Sequence, residues 1–540
     1  MIRKAKLLFH TVKHLKFIQL WNRVKRHFSS PRVNISIAPK LSKPKSKFQA
    51  VALSEQSMLN SCTFSFLNET RSVKTLECWN DDSLDKLWLY NLHYFDDLNA
   101  VNSDQRKEWH DSLIQKWIKE NAPGYGNGWE PYPSSLRIVN WIKWSLLGAD
   151  IKQDWHDSLA VQTRYLSQNL EYHILGNHLF ANAKALIYAG LYFQGMEAEK
   201  WYTTGIKIFN KELQEQVLPD GGNFELSPMY HAIFLEDLLD IFNIHQAFNK
   251  QLPGDILNKI TSMFDWLYTM CHPDGEVSFF NDSVTGVAPN LIELENYAKR
   301  LKIPLSKKNN ELTHLCNSGY IRIQKGSLVA LLDVAHVGPN YIPGHAHADT
   351  LSFELSLSGQ RVMVNSGISC YGVSAERLRQ RGTSAHNTVV INGENSSEVW
   401  DGFRVARRAK PFDLKINQTH DRIQIYCSHD GYKRFRDDLV HTRGWTLDSG
   451  QLTVRDFIGG SFGEAEARYY FHPAVSVRLD IFGREGVLSV GNKNIASFKV
   501  VQGVSSILDT EYHSEFGLSI SNKCLSIKFE SPEAEVHFYW

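Results

Sequence analysis

Residues 344–364, GHAHADTLSFELSLSGQRVMV, mark a change of period along the chain. Leu351, Phe353, Leu355 and Leu357 alternate with polar residues, Gly359-Gln360 is a turn signal, and Val362 and Val364 alternate back. A period of two on both sides of a two-residue turn predicts an antiparallel hairpin. Moving outward, Tyr320, Ile321, Ile323 and the run 328–334 are also strand-like. Short β-rich runs continue through 388–391, 423–426, 452–457, 475–481 and 535–539. Upstream the period is different. Between about 80 and 310 apolar residues recur at helical spacing, as in Leu179, Phe180, Ala183, Leu186, Ile187 and Leu191, or Ile233, Phe234, Leu238, Leu239 and Phe242. The fold class is therefore α+β and multidomain: an N-terminal segment over 1–54, an all-helical domain over 55–315, and a large antiparallel β domain over 316–540, read as a sandwich.

Composition narrows the function classes. The 540 residues carry 59 Lys+Arg against 58 Asp+Glu, which excludes a generally basic nucleic-acid binder and an acidic disordered chain. That balance hides an asymmetry. Residues 1–54 hold 13 Lys+Arg and no acid, so 55–540 carry 46 against 58, a net −12. Leu8, Val12, Leu15, Ile18 and Trp21 fall at helical spacing within the cationic stretch. Residues 1–28 thus predict a basic amphipathic helix, read as an arm packing loosely on the body, a peripheral contact with an anionic membrane, or a transit peptide. Residues 29–54, rich in Pro, Ser and Lys, read as a linker. No window reaches the roughly 20 apolar residues of a membrane span. The expected location is cytoplasmic, peripheral at the inner membrane, or alternatively periplasmic. Seven scattered cysteines without C-x-x-C spacing predict free buried thiols. Aromatic residues make up 12%, a share that suits a protein presenting flat rings to a ligand.

Five short motifs can carry chemistry. His345 and His347, at i and i+2 before the hairpin, can serve proton transfer and metal binding, or be two surface histidines of a polar turn. His386 precedes the strand 388–391 and can join His347 on one metal if the strands are neighbours. Arg379 and Arg381 can grip an anionic substrate, or be solvated. Asn177 and His178, before the helix 179–191, read as a cap or as a carboxylate clamp. Glu225 and Tyr230 lie in a Gly-rich entry to another helix, where a tyrosine packs in the core or acts as acid or base only if a cationic neighbour lowers its pKa from about 10. Trp129 and Tyr132 form either core packing or a sugar-stacking wall.

The order of these motifs resembles the heparinase II/III-like polysaccharide lyases: W-E-P-Y-P-x-S-L-R at 129–137, N-H at 177–178, G-G-x-x-E-x-S-x-x-Y-H at 221–231, G-H-x-H-A-D at 344–349 and A-H-N-T-V at 385–389. The resemblance covers roughly 80–540. It implies an incomplete α/α toroid followed by a β-sandwich, with a cleft between them that cleaves uronic-acid-containing polysaccharides by β-elimination. In that reading Asn177 and His178 neutralise the uronate carboxylate, Tyr230 is base, acid or both, and His345 assists. Trp129, Tyr132, Glu225, Arg379 and Arg381 fall on the substrate side. A structural zinc is implied on His347 and His386, with Asn365 at the place of the usual third ligand and Asp349 a carboxylate nearby; no organic cofactor is implied. The basic N-terminus suggests a role beside surface-polysaccharide synthesis.

A polymer-level C5 epimerase needs the same carboxylate clamp and is the nearest alternative. A non-catalytic glycan-binding component of polysaccharide assembly is another. A hydrolase would need two carboxylates across the cleft, and no acidic pair stands out as the His/Tyr/Asn set does. An anionic substrate needs basic and amide groups focused in one cleft rather than a basic protein. The cationic tail is accordingly read as an address or a membrane contact.

Overall fold

The computed structural model describes residues 2–28 and 30–540. Helices from Lys86–Tyr94 to Leu291–Arg300 build the first large domain, and antiparallel sheets from Leu312 onward build the second. Local chemistry starts and stops these helices. Asp85 accepts from the Leu87 and Trp88 amides ahead of Lys86–Tyr94, and Pro131 opens Pro131–Leu146 where a missing N–H costs nothing. Ser227 caps Pro228–Ala247 by accepting from the Tyr230 amide. Adjacent helices bury their apolar faces on one another around Trp79, Trp117, Trp141, Trp155 and Phe180.

Ten of the fourteen tryptophans are buried, so the aromatic share is mainly core rather than a display of rings. Residues 30–54 are likewise no free linker; residue 29 lies outside the described residues. Leu41 pairs with Phe193, Gln49 receives a bond from Asn243, and Phe48, Val51 and Ala52 are buried against the helices. An extended strap pairing with helix ends has no period of its own, so composition alone reads as a tether. A three-stranded sheet over Met58–Ser72 precedes the helices.

The β region contains sheets of five, eight and four strands. The five-stranded sheet runs Leu312–Leu315, Tyr320–Lys325, Leu328–Asp333, Phe353–Leu357 and Gln360–Met363 in sequence order. Its first strand begins before 316, so the domain boundary falls between Arg300 and Leu312; four residues with no alternation gave no strand signal. The hairpin forms, but Leu357 pairs with Gln360, so its two turn residues are Ser358 and Gly359, one residue earlier than the expected Gly359-Gln360. The larger sheets share a core of Phe353, Trp445, Tyr469 and Phe538. Among the cysteines only 271, 427 and 524 are buried; all seven are free, and Cys316 is exposed.

Two loops of the helical domain dock on the five-stranded sheet. Asp220 accepts from the Ser318 amide, and the Trp266 indole donates to the Ser318 hydroxyl. Leu226, Trp266, Phe280, Tyr320 and Leu331 form a small core across this seam. Gly221 has φ +88°, and a Cβ there would lie 2.1 Å from the Ser262 carbonyl oxygen, so only glycine fits. The seam fixes the loops 218–227 and 271–285 against the turn carrying His345, where the Asp282 amide donates to the His345 carbonyl. No helix among the described residues is long and apolar enough to cross a membrane.

Candidate active site

Tyr230 lies in the first turn of Pro228–Ala247, and His345 in the turn ahead of the hairpin. Their rings stack with centroids 3.9 Å apart at 32°. The Tyr230 hydroxyl is 2.8 Å from that of Tyr371. His345 Nδ1 lies 2.9 Å from Asp282 Oδ2, while its Nε2 is 3.7 Å from Glu225 Oε2. Asp282 is fully buried and is the hub. It takes a two-pronged bond from Arg377 at 2.5 and 2.6 Å, and His347 Nε2 at 2.8 Å as well as His345. Burial works against the Asp282 charge, but Arg377 and the two imidazoles outweigh it and hold the carboxyl well below its ordinary range. An ionised Asp282 makes His345 Nδ1 the donor, so in the neutral tautomer the lone pair sits on Nε2. Burial, and then Tyr371, push the Tyr230 hydroxyl well above 10, so Tyr230 rests protonated.

The helical domain supplies the facing wall. Its helix starts at Gly176, so Asn177 and His178 occupy the first turn instead of preceding it, and Leu175 at the N-cap makes no side-chain cap. His178 Nδ1 is 3.1 Å from Glu171, and the His178 ring stacks on Tyr132 at 4.5 Å. Burial alone would neutralise His178, but Glu171 overrides it and the pKa is raised. An imidazole whose charged form Glu171 favours and an amide at a helix N-terminus make an arrangement that suits an anion. Glu225 is buried with neither carboxylate oxygen hydrogen-bonded, and desolvation raises its pKa. Leu175, Leu226 and Asn281 all have positive φ (71°, 59° and 57°), each within two residues of Asn177, Glu225 or Asp282. Left-handed backbone at non-glycine residues costs energy that the packed seam sustains.

Comparison with known proteins follows the same division. A model described as the heparinase II/III N-terminus matches residues 102–308, and one described as heparinase II/III-like, C-terminal, matches 307–539. The chain belongs to the heparinase II/III-like family. A heparin-sulfate lyase of Bacteroides stercoris is 25% identical over 345 residues, covering 58% of this chain and 51% of the relative. The chain spans about half the length of the curated relatives it matches. A crystal structure of heparinase III superposes with TM-score 0.72 at 19% identity, covering 95% of this chain and 88% of that one. A chondroitinase AC lyase structure gives 0.51 at 10% identity, with coverages of 84% and 75%. These likenesses show the toroid-plus-sandwich fold.

Several residues expected at the heparinase-like cleft lie elsewhere. Trp129 is buried against Trp117 and Tyr165 and donates to the Asn121 carbonyl; it is core, not a sugar wall. Arg381 is fully buried and bonds the carbonyls of Ala346, Asp401 and Gly402. Arg379 is bound to Glu376 and His513 at the surface. The arginine that serves the site is Arg377, on the same short helix Ala375–Gln380. Two residues along a helix is about 200° of rotation, so Arg377 and Arg379 point apart. Asp282, Arg377 and Tyr371 carried no motif signal, since each is a single residue placed by a distant partner, and Glu171 lies outside the motif stretches although His178 is only seven residues on.

The zinc implied by the family has a fitting donor set, with one substitution. His347 Nδ1 and His386 Nε2 are 3.2 Å apart, and an Asp349 carboxylate oxygen lies within 4.8 Å of both. Tetrahedral ligands at about 2.1 Å from zinc sit about 3.4 Å from one another. His347 spends its Nε2–H on Asp282, which leaves Nδ1 bare, and burial holds both imidazoles neutral. Burial also pushes the Asp349 carboxyl up, a penalty that a divalent cation removes. Asn365, expected as the third donor, is engaged elsewhere. Its Oδ1 accepts from the Asn387 amide at 3.2 Å, and its Nδ2 is buried without a partner.

Proposed function

We propose that this protein is a polysaccharide lyase that cleaves a uronic-acid-containing anionic polysaccharide by β-elimination. The observation that carries the reading is the Tyr230–His345 stack, anchored by Asp282 and faced by Asn177 and His178. The C5 proton of a uronate is weakly acidic until its carboxylate is neutralised. Asn177 and cationic His178 supply that neutralisation, so charge developing on the carboxylate is stabilised in place. His345 Nε2 takes the C5 proton, the C4–O bond breaks, and its departure leaves a C4=C5 double bond. Tyr230, resting protonated, gives its proton to the leaving oxygen. Tyr371 is placed to donate to the phenolate that remains, and transfer of the proton from His345 to Tyr230 restores the resting state. Water is not consumed. Zinc on His347, His386 and Asp349 would fix the His347 ring against Asp282; it is structural in this scheme. That the named relatives are lyases weighs against the epimerase and the non-catalytic alternatives.

The test is incubation with a panel of uronate polymers, heparan and chondroitin sulfates among them, followed by ultraviolet absorbance of unsaturated uronide. Cleavage of a neutral glycan with no such signal on any uronate polymer would falsify the elimination.

Two further outcomes are expected. In Glu171→Gln, His178 loses the partner that raises its pKa, so the alkaline limb of kcat/KM moves to lower pH. The loss is about tenfold at mildly alkaline pH and little on the acid side. The same raised pKa means the His178–Glu171 pairing contributes stability below the ordinary imidazole pKa of 6.5 and loses it as pH rises through the shifted value. The second concerns metal. Elemental analysis should find about one zinc per chain, and chelation should lower Tm by about 5 °C. His386→Ala and Asp349→Ala lose the metal, whereas Asn365→Ala retains it; zinc lost only in Asn365→Ala would reverse the assignment.

A further inference from the structure

The N-terminal helices Ile2–Val12 and Phe17–Phe28 are turned the opposite way from an ordinary surface helix. Phe17, Leu20, Trp21, Val24 and Phe28 recur at i, i+3, i+4, i+7 and i+11, one continuous stripe. That stripe faces outward: Phe17 is 78% exposed, Trp21 58% and Phe28 85%, with Phe9 of the preceding helix at 66%. On the side toward the protein only Ile18 packs on the helical core, and the other contacts are polar. Gln19 is buried and donates to the Ile174 and Tyr341 carbonyls, Lys16 pairs with Glu215, Arg26 meets His173, and the Trp400 indole donates to the Thr11 hydroxyl. Helices normally bury their apolar stripe on their own domain, because that burial is what stabilises them. Here hydrogen bonds fix the helix while its apolar stripe is left in solvent, and nothing among the described residues covers it.

Charge selects the occupant. Residues 1–28 carry eight Lys+Arg and no acidic residue. A second copy docking stripe to stripe would set eight cations against eight, whereas an anionic lipid surface satisfies rings and cations together. We propose that Phe17–Phe28, assisted by Phe9, docks this protein reversibly on an anionic membrane, with the aromatic stripe in the headgroup layer and the flanking Arg23 and Lys25 on lipid phosphates. The buried contacts at Ile174 and Tyr341 place this surface beside the loop that leads into Asn177.

The experiment is co-sedimentation of the full chain with vesicles of phosphatidylcholine, alone or mixed with phosphatidylglycerol, at low and high salt. Binding is expected only to the mixed vesicles and falls with salt. Phe17→Ser/Trp21→Ser should weaken it by about tenfold or more, with Tm unchanged because both side chains are exposed. Arg23→Glu/Lys25→Glu should weaken it and flatten the salt dependence. The proposal is overturned if the mixed vesicles do not sediment the chain, or if the stripe variant binds them as tightly as the parent. It is equally overturned if light scattering shows a dimer that the stripe variant dissociates. Loss of affinity for free heparan sulfate in the stripe variant, with vesicle binding intact, would overturn it too.

Discussion

Tyr230→Phe should remove about a thousandfold or more of kcat while leaving KM and Tm close to the parent values. The ring stays, so the 3.9 Å stack on His345 and the helix first turn persist. What goes is the hydroxyl that meets Tyr371 at 2.8 Å and protonates the leaving oxygen. A lost neutral hydrogen bond costs stability of about 1 kcal/mol, which is small beside the loss of rate. Burial and Tyr371 raise the Tyr230 pKa, and in the proposed elimination the group acts as an acid. Substrates whose leaving group needs little protonation should therefore lose least. Unsaturated-product formation at saturating substrate measures this. A variant keeping a tenth of the parent kcat, with His345→Ala inactive, would move the acid to another group.

Asp282→Asn is expected to act on both fold and chemistry. The parent carboxylate balances Arg377, and both side chains are fully buried. An amide leaves the guanidinium charge uncompensated, and breaking such a pair costs about 3–5 kcal/mol. His345 also loses the acceptor that fixes its tautomer, so kcat should fall by about 10²-fold or more even where the variant is folded. Combining Asp282→Asn with Arg377→Met separates the two effects. Removing the orphaned charge should recover much of the urea midpoint, while activity stays low because His345 remains unoriented. Full recovery of activity in the double variant would show that Asp282 serves the fold alone. The pH sign follows from the depressed pKa. Asp282 contributes stability above the ordinary carboxylate pKa of 3.8 and loses it only as pH falls toward its much lower folded value.

Much of the organisation was legible because it is periodic or local. Alternation around Gly359-Gln360 and the 3.6-residue period upstream located the two domains, and the motif series located Asn177, His178, Tyr230, His345, His347 and His386. The failures have a common cause. Trp129 and Arg381 lie in motif-bearing stretches, but packing decides whether a ring or guanidinium meets solvent, and both are buried. The strap 30–54 reads as a tether because its partners, Phe193 and Asn243, are far away in the chain.

The sequence by itself determined which chemistry was available: an amide, imidazoles and a phenol, each on the first turn of a helix or the entry to a strand. Only the tertiary structure decided how they act. Asp282, Arg377 and Tyr371 have no local signature, because an ion pair across 95 residues depends on two loops docking at a seam. The same holds for the approach of Asp349 to His347 and His386, and for the outward turn of Phe17, Trp21 and Phe28. Periodicity shows that a helix has an apolar face; which way that face points is set by the polar contacts on the other side.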